Sequence, residues 1–370
     1  MEDVQKCNKP DESMLIALEG NVYAPFPFIC MHPGGGEILA KAAGRDVTDE
    51  FDSNPKHSTA ARKMLKKFLV GILVGQQDTA IVIDKKCEDT GINLDGAPSA
   101  LRECGNGQIE CTIIAKKQLS HNSFDFTFSL PSPNHVLGLP VGQHVRLVAD
   151  IRSPDGTIEK DVTRSYTPVS PATQKGTFKV VIKVYYKNAH PEHPEGGQMT
   201  QYIDSLKIGD RMQVVGPQGA FVYQGQGTYT AGYGENRGKC SKMGFVCGGT
   251  GISPAYQVIQ SILSDATDTT NLWLVYSNQS ESDILLREEL DKLAEEHPTQ
   301  FKLWYTVTQA VPEGWAYGNG RVTEEMLAEH MPDPGEDTLV TACGPPGMIE
   351  DVVVPSLARL GHADARIMVF

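Results

Sequence analysis

The strongest constraint on this 370-residue chain is a change of hydrophobic period near Met243. From Gln108 to about Gly227 the apolar residues fall in short β-branched or aromatic runs. These are "IECTIIAKKQL", "FDFTFSL", "HVRLVAD", "TFKVVIKVYY", "RMQVVGP" and "AFVY". Only "MTQYIDSL" in that span has helical character, so the pattern predicts a small antiparallel barrel. After Met243 each apolar run is followed by a helical pattern. "MGFVC" precedes a helix at 253–264, and "LWLVYS" precedes "SDILLREELDKLAEEH". In the latter, Ser282 or Asp283 is placed to cap, and Leu285, Leu286, Leu290 and Leu293 form one face. "FKLWYTV" and "TLVTAC" continue the alternation, which predicts a doubly wound parallel sheet.

The remaining chain divides by composition. Residues 1–76 read as an α+β unit of short strands and helices around "CMHPGGGEIL", with Gly44 as a helix stop and a second helical start at Asp46. Residues 77–106 are crowded with Gly, Asp, Asn and Pro, as in a linker. The barrel then occupies 107–228, a polar hinge 229–242, and the α/β domain 243–370. There is no internal repeat and no low-complexity tract.

Charge and cysteine usage narrow the function classes. A net charge of −13 argues against non-specific nucleic-acid binding. The 8 cysteines are scattered, without a CxxC pair, as suits a reducing compartment. "FLVGILVG" is too short to span a bilayer, and "MEDVQKCNKP" lacks the basic and apolar regions of a secretory signal. A cytoplasmic protein with no membrane span is expected.

Four constellations carry chemistry. In the first, Pro33 freezes the backbone after His32, and Gly34 to Gly36 permit a sharp turn and close approach by something bulky. A second histidine, His57, follows in "NPKHS". Two neutral imidazoles across a cavity can fill both axial positions of a haem iron, with Phe28 and Phe51 packed on the porphyrin. The alternative is a tight turn and two unrelated histidines. The second is "RSYTPVS", where Arg164 can pair with a phosphate and Tyr166 can lie against a flat ring. Downstream, "GGQMTQYI" sets Gly196 and Gly197 before a helix, so the amides of Gln198, Met199 and Thr200 can point at an anion. Together they make a pyrophosphate clamp; separately, they are a strand end and a capped helix.

The third is "CGGTGISP", a glycine turn between strand and helix, suited to a nucleotide or to close packing alone. The fourth is "ACGPPGM", a stiff loop at a sheet's carboxyl edge, where ligands of open α/β sheets bind. A lone Cys343 there is also explained as a small buried apolar residue. "HPEHP", with His190 and His193, reads as a solvated loop, since no third metal ligand is evident.

Through the first of these motifs and its surroundings, residues 1–76 resemble cytochrome b5. The matching positions are Val22, Tyr23, Phe28, His32 to Gly35, Gly44, Asp46, Thr48, Phe51, His57 and Ser58. The resemblance implies a b-type haem whose iron is held by His32 and His57. The loop before His57 is one residue longer than usual. Where relatives carry docking acids before the HPGG turn, this chain has Cys30 and Met31. Residues 1–78 are only mildly acidic, so most of the net charge lies on the remainder, and two acidic partners lack long-range attraction. A covalent tether can replace that steering with effective concentration.

Residues 108–370 resemble NADH-cytochrome b5 reductase, of the ferredoxin-reductase-like flavoprotein family. The shared features include "VIKVYYKNAHPE", "GGQMTQY", "GGTGISP", "SDILLREEL" and "CGPPGM". By resemblance, FAD is held by Arg164, Ser165, Tyr166, Thr167, Val181, Lys183, Tyr185, Tyr186, Gly197 and the Gln198–Thr200 amides, with Thr250 reaching it from the other domain. Gly248, Gly249, Gly251, Thr308, Cys343, Gly344 and Pro345 would line the NADH site, with Ser123 and Cys343 as the candidate catalytic residues. Ser123 aligns near a hydroxyl residue beside the reactive flavin nitrogen; a surface strand serine is the rival reading. Gln198 stands where relatives commonly have lysine. The acid expected after "FKLWYT" is missing, with Thr308 and Gln309 in its region, so NADH preference with measurable NADPH use is expected.

The implied enzyme is an NADH-dependent cytochrome b5 reductase with its own haem domain, passing electrons from NADH to FAD to haem and on to an external protein or small oxidant. One alternative is the haem–flavin portion or a relative of assimilatory nitrate reductase. No molybdenum domain precedes the haem region in these residues, so nitrate reduction by them alone is not expected. A further alternative is a non-catalytic haem-binding regulatory module.

Overall fold

The computed structural model describes residues 14–19, 21–25, 36–52, 65, 68–72, 97–103, 107–152, 156–189, 194–232, 236–309, 311 and 313–370. His32 and His57, both read as iron ligands, lie outside the described residues, as do Phe28, His190 and His193. The chain divides into two compact units, Met1–Lys86 and Cys87–Phe370.

In the first unit, β1 (Ile16–Leu18), β2 (Asn21–Tyr23) and β3 (Leu69–Ile72) form an antiparallel sheet. α1 (Gly36–Lys41) and α2 (Thr48–Asp52) accompany it. Gly44 takes a positive φ of 75°, the left-handed conformation that suits a helix stop. Asp46 accepts from both the amide and the hydroxyl of Thr48, at 3.1 and 2.6 Å, and so starts α2. Met14, Ile16, Leu18, Tyr23, Leu39, Val47 and Phe68 form the core, with Phe51 packed against it.

The second unit opens with α3 (Ala100–Glu103), inside the stretch read as linker. Ala100 and Leu101 are buried in the barrel core, so this part of the linker belongs to the barrel. The barrel strands are β4 (Gln108–Gln118), β5 (Ser123–Ser129), β6 (His144–Arg152), β7 (Ile158–Tyr166) and β8 (Thr177–Lys183). α4 (Gln198–Ser205) and β9 (Arg211–Gln218) follow. The sheet order is β7-β6-β9-β4-β5-β8, antiparallel throughout. Alternation along β5 turns Phe126 and Phe128 into the core, where Phe128 stacks on Phe178 with centroids 5.2 Å apart. The edge strands β7 and β8 approach each other, which gives the sheet its barrel form.

The stretch read as a hinge, 229–242, is taken up with the end of the stretch read as barrel into one small sheet. β10 (Val222–Gly225), β11 (Thr228–Ala231) and β12 (Asn236–Lys239) form a small antiparallel sheet. Its base is pinned by Tyr223, whose phenol donates to Asp268 at 2.6 Å.

The α/β lobe contains β13 (Lys242–Gly248), α5 (Ile252–Ser264), β14 (Asn271–Asn278), α6 (Arg287–Glu296), β15 (Phe301–Val307), β16 (Gly318–Asn319), α7 (Glu324–His330), β17 (Thr338–Cys343), α8 (Val354–Arg359) and β18 (Ile367–Val369). All strands are parallel, in the order β16-β15-β14-β13-β17-β18. The order reverses between β13 and β17, which opens a crevice at their carboxyl ends. One expectation is corrected. Ser280, not Ser282 or Asp283, is the cap, in a reciprocal pair with Asp283 around the single turn Glu281–Asp283. Leu286 then turns left-handed, with φ 58°, before α6 starts at Arg287. Leu285 is buried in the core, and Leu286 and Leu293 pack against it.

The barrel and the α/β lobe share a core: Val141, Val169, Val181 and Phe221 pack in one cluster with Phe245, Ile252 and Tyr256. The Gly142 amide donates to Gln257 Oε1 at 2.6 Å across that boundary, and the bond is buried. Among the described residues no helix is long and apolar enough to cross a membrane.

Candidate functional site

The clamp residues come from β7, β8 and α4. Arg164, Ser165 and Tyr166 end β7, with Thr167 next, while Val181 and Lys183 lie at the end of β8. Arg164 and Ser165 are exposed. The Arg164 guanidinium donates at 2.8 Å to the neighbouring Thr163 carbonyl, leaving most of its donors open. Burial pushes the Tyr166 phenol pKa up, Arg164 opposing and Tyr185 adding to the rise, so the two tyrosines are neighbours. Tyr185 and Tyr186 are 51% and 38% exposed, large for aromatic rings beside a core.

α4 is stitched to the end of β8 by glycines. A Cβ on Gly196, which has φ +70°, would stand 2.3 Å from the Tyr185 carbonyl oxygen, and one on Gly197 2.4 Å from Thr200 Oγ1. No larger residue fits this approach without displacement. The Gly197 amide donates to Tyr185 O at 2.8 Å, and Thr200 Oγ1 accepts from the Tyr185 amide at 3.3 Å. No side chain caps α4, so the Gln198, Met199 and Thr200 amides keep no intrahelical partner. Met199 itself is buried in the barrel core and offers only its backbone. Gln198 reaches sideways, donating to Glu159 on β7 at 2.7 Å. An open guanidinium, three free amides and uncovered aromatic rings fit a flat ring system carrying a diphosphate, as in FAD.

Ser123 pairs with Lys183 across β5 and β8 and is only 2% exposed, which removes the surface-serine reading. Val181 is buried in the core shared by the lobes. The end of β8 also packs against the turn Gly249–Gly251, so the clamp and the glycine turn are brought together.

At the crevice, Cys247 and Cys343 are register partners on β13 and β17. A Cβ on Gly251 would stand 2.2 Å from the Cys343 carbonyl oxygen, and one on Gly248 2.8 Å from Pro345 Cδ. A Cβ on Gly344 would meet Met348 Cε at 2.8 Å. These three glycines are required by close packing between the two loops, the plainer of the readings of both motifs. Gly249 differs: it holds φ +54° with nothing near its would-be Cβ, so it faces open space. Burial pushes the Cys343 thiol up to about 11 and Cys247 well above its usual value, so both are protonated near neutrality. Thr308 stands apart, past the end of β15; its amide donates to Asn278 O at 3.1 Å.

Several residues of the site escaped sequence reasoning. Gln257 bridges the lobes, Glu159 holds Gln198, and the Tyr276 phenol donates to the Gly249 carbonyl at 2.9 Å. Each acts on a residue 27 or more positions away, a relation with no local signature. Met348 alone sat inside a motif. Among the described residues no group of three or more His, Cys, Asp or Glu could hold a metal ion.

An antiparallel barrel with an anion clamp, followed by a parallel sheet with a glycine crevice, defines a flavin- and pyridine-nucleotide-dependent oxidoreductase. Residues 110–223 match the oxidoreductase FAD-binding domain, 245–353 the oxidoreductase NAD-binding domain, and 1–74 the cytochrome b5-like heme/steroid binding domain. The crystal structure of the cytochrome b5 reductase domain of Ulva prolifera nitrate reductase is similar, with 35% identity and a TM-score of 0.67. That similarity covers 71% of this chain and 97% of the Ulva chain. The chain belongs to this cytochrome b5 reductase family, with a cytochrome b5-like domain ahead of the reductase. It is 38% identical over 373 residues to an NADH nitrate reductase of Solanum lycopersicum, covering 98% of this chain and 40% of that protein. It is 40% identical over 378 residues to an NADH nitrate reductase of Zea mays, covering 100% and 59%. The chain thus spans 40% and 59% of these two relatives.

Proposed function

We propose that this chain is an NADH-dependent cytochrome b5-type reductase that feeds its own b-type haem and, through it, an external acceptor. The observation that carries the reading is the contact between the end of β8 and the Gly249–Gly251 turn, because it sets the clamp beside the nucleotide crevice. A bound flavin supplies the exchange between a two-electron hydride donor and a one-electron acceptor. The chain's own residues bind and orient. Arg164 and the Gln198–Thr200 amides neutralise the diphosphate, while Tyr166, Thr167, Tyr185 and Tyr186 flank the cofactor. Ser165, Val181, Lys183 and Gly197 complete its cradle. Ser123 would lie beside the reacting edge of the flavin. Gly248 to Gly251, Thr308, Cys343, Gly344 and Pro345 receive the nicotinamide nucleotide, with Cys343 as an uncharged wall beside the ring. His32 and His57 hold the haem iron in the proposed domain 1–76. The other proposed segments are a linker at 77–106, an FAD domain at 107–228, a hinge at 229–242 and a nucleotide domain at 243–370.

Thr308 and Gln309 in place of an acid support NADH preference with measurable NADPH use. A cytoplasmic site of action and an accepting protein or small oxidant follow from the same reading. A second reading, the haem–flavin portion of a nitrate reductase, is favoured by relatives that match nearly the whole chain yet extend well beyond it. His32→Ala should abolish haem reduction by NADH and leave ferricyanide reduction intact; loss of both in a folded, flavin-loaded protein contradicts the proposed order of transfer.

A further inference from the structure

We infer that Tyr276 is a positioning residue for the nucleotide crevice: its phenol holds the Gly249–Thr250 peptide with the carbonyl turned into the sheet and the Thr250 N–H turned out toward the ligand. The inference rests on the reading above that this turn receives the pyridine nucleotide.

Tyr276 is fully buried on β14, the strand beside β13, with Cys247 as its register partner. Its hydroxyl donates to Gly249 O at 2.9 Å. The same carbonyl accepts from the Ile252 amide at the start of α5, so two donors draw it inward. In a planar trans peptide the following N–H points opposite to the carbonyl. With Gly249 O drawn toward the interior, the Thr250 N–H faces away from the phenol. The turn borders open space, for a Cβ built on Gly249 has no neighbour within 4 Å. Thr250 is the second residue of its helical turn, where an N–H has no intrahelical partner. The phenol thus sets one donor of the crevice without touching the ligand. Burial, reinforced by Cys247, raises its pKa, so it remains a donor across the working range of pH.

Tyr276→Phe removes the donor and keeps the ring. In the full chain loaded with FAD, the dissociation constant for NAD+, read by flavin difference spectroscopy, should rise by about three- to tenfold, the worth of one ordinary hydrogen bond. KM for NADH should rise with kcat near the parent value. Amides at 249–251 should exchange faster with deuterium. Tyr223→Phe, which removes a buried phenol hydroxyl at the base of the β10–β12 sheet, should leave the NAD+ constant unchanged. An unchanged constant in Tyr276→Phe, with the parent binding NAD+, overturns the inference alone. Failure of the parent to bind NAD+ overturns the proposed function and this inference with it. Should Tyr276→Phe not load FAD, exchange at 249–251 in the FAD-free parent and variant decides: faster exchange in the variant supports the inference, and equal exchange overturns it.

Discussion

Gly249 and Gly251 stand two residues apart and answer to different constraints. Alanine at 251 would drive its methyl into the Cys343 carbonyl, which both loops would have to move to relieve. We expect Gly251→Ala to cost about 3 kcal/mol or more in urea unfolding. Gly249→Ala meets no atom and suffers only its left-handed backbone, φ +54°, at about 1–2 kcal/mol. Equal losses would show that the close approach of the loops is not the controlling contact. His144 supplies a pH dependence. Burial, with Arg146 adding, lowers its pKa from 6.5 to about 4. The unfolded chain takes up this proton below about 6.5 and the folded chain only near 4, so acidification through that window destabilises the fold. The loss is on the order of 3 kcal/mol. His144→Gln should flatten the fall of the urea midpoint between those pH values; parallel curves for variant and parent would refute it.

At the scale of elements, α4 illustrates how a helix end becomes a binding surface. Its first amides are left free because Gly197 offers no side chain, and Thr200 instead ties the helix to the end of β8. Arg164→Ala removes a mostly unengaged guanidinium. We expect FAD affinity, followed by flavin fluorescence, to weaken by about tenfold to a hundredfold. The apoprotein's melting temperature should not move; a large drop there would mean that Arg164 supports the fold rather than the cofactor. α4 was legible because "GGQMTQYI" places two glycines before a helix-forming run. The start of α6 was not, because "SDILLREEL" satisfies helical periodicity throughout. The break at Leu286 is a left-handed backbone, φ 58°, which the apolar period of the side chains does not encode.

Across the whole reductase unit, the lobes are joined by a continuous apolar core and by one buried bond from the Gly142 amide to Gln257. Gln257→Leu would strand that amide without water or partner. Calorimetry should show a loss of about 1–3 kcal/mol; an unchanged transition would mean the apolar contact alone joins the lobes. Sequence by itself determined the order of the domains, the type of the main strands and helices of the barrel and the parallel sheet, and the motifs that approach a cofactor; it did not show the short elements in the stretches read as linker and hinge. Those properties reside in local period, in turn chemistry and in short glycine patterns, each confined to about a dozen residues. Tertiary structure alone decided that β8 meets the glycine turn, that "GGTGISP" and "CGPPGM" interlock through Gly248, Gly251 and Gly344, and that Tyr276 reaches Gly249. Such contacts join residues far apart in the chain, and their energy comes from excluded volume and buried hydrogen bonds that exist only once both partners are in place.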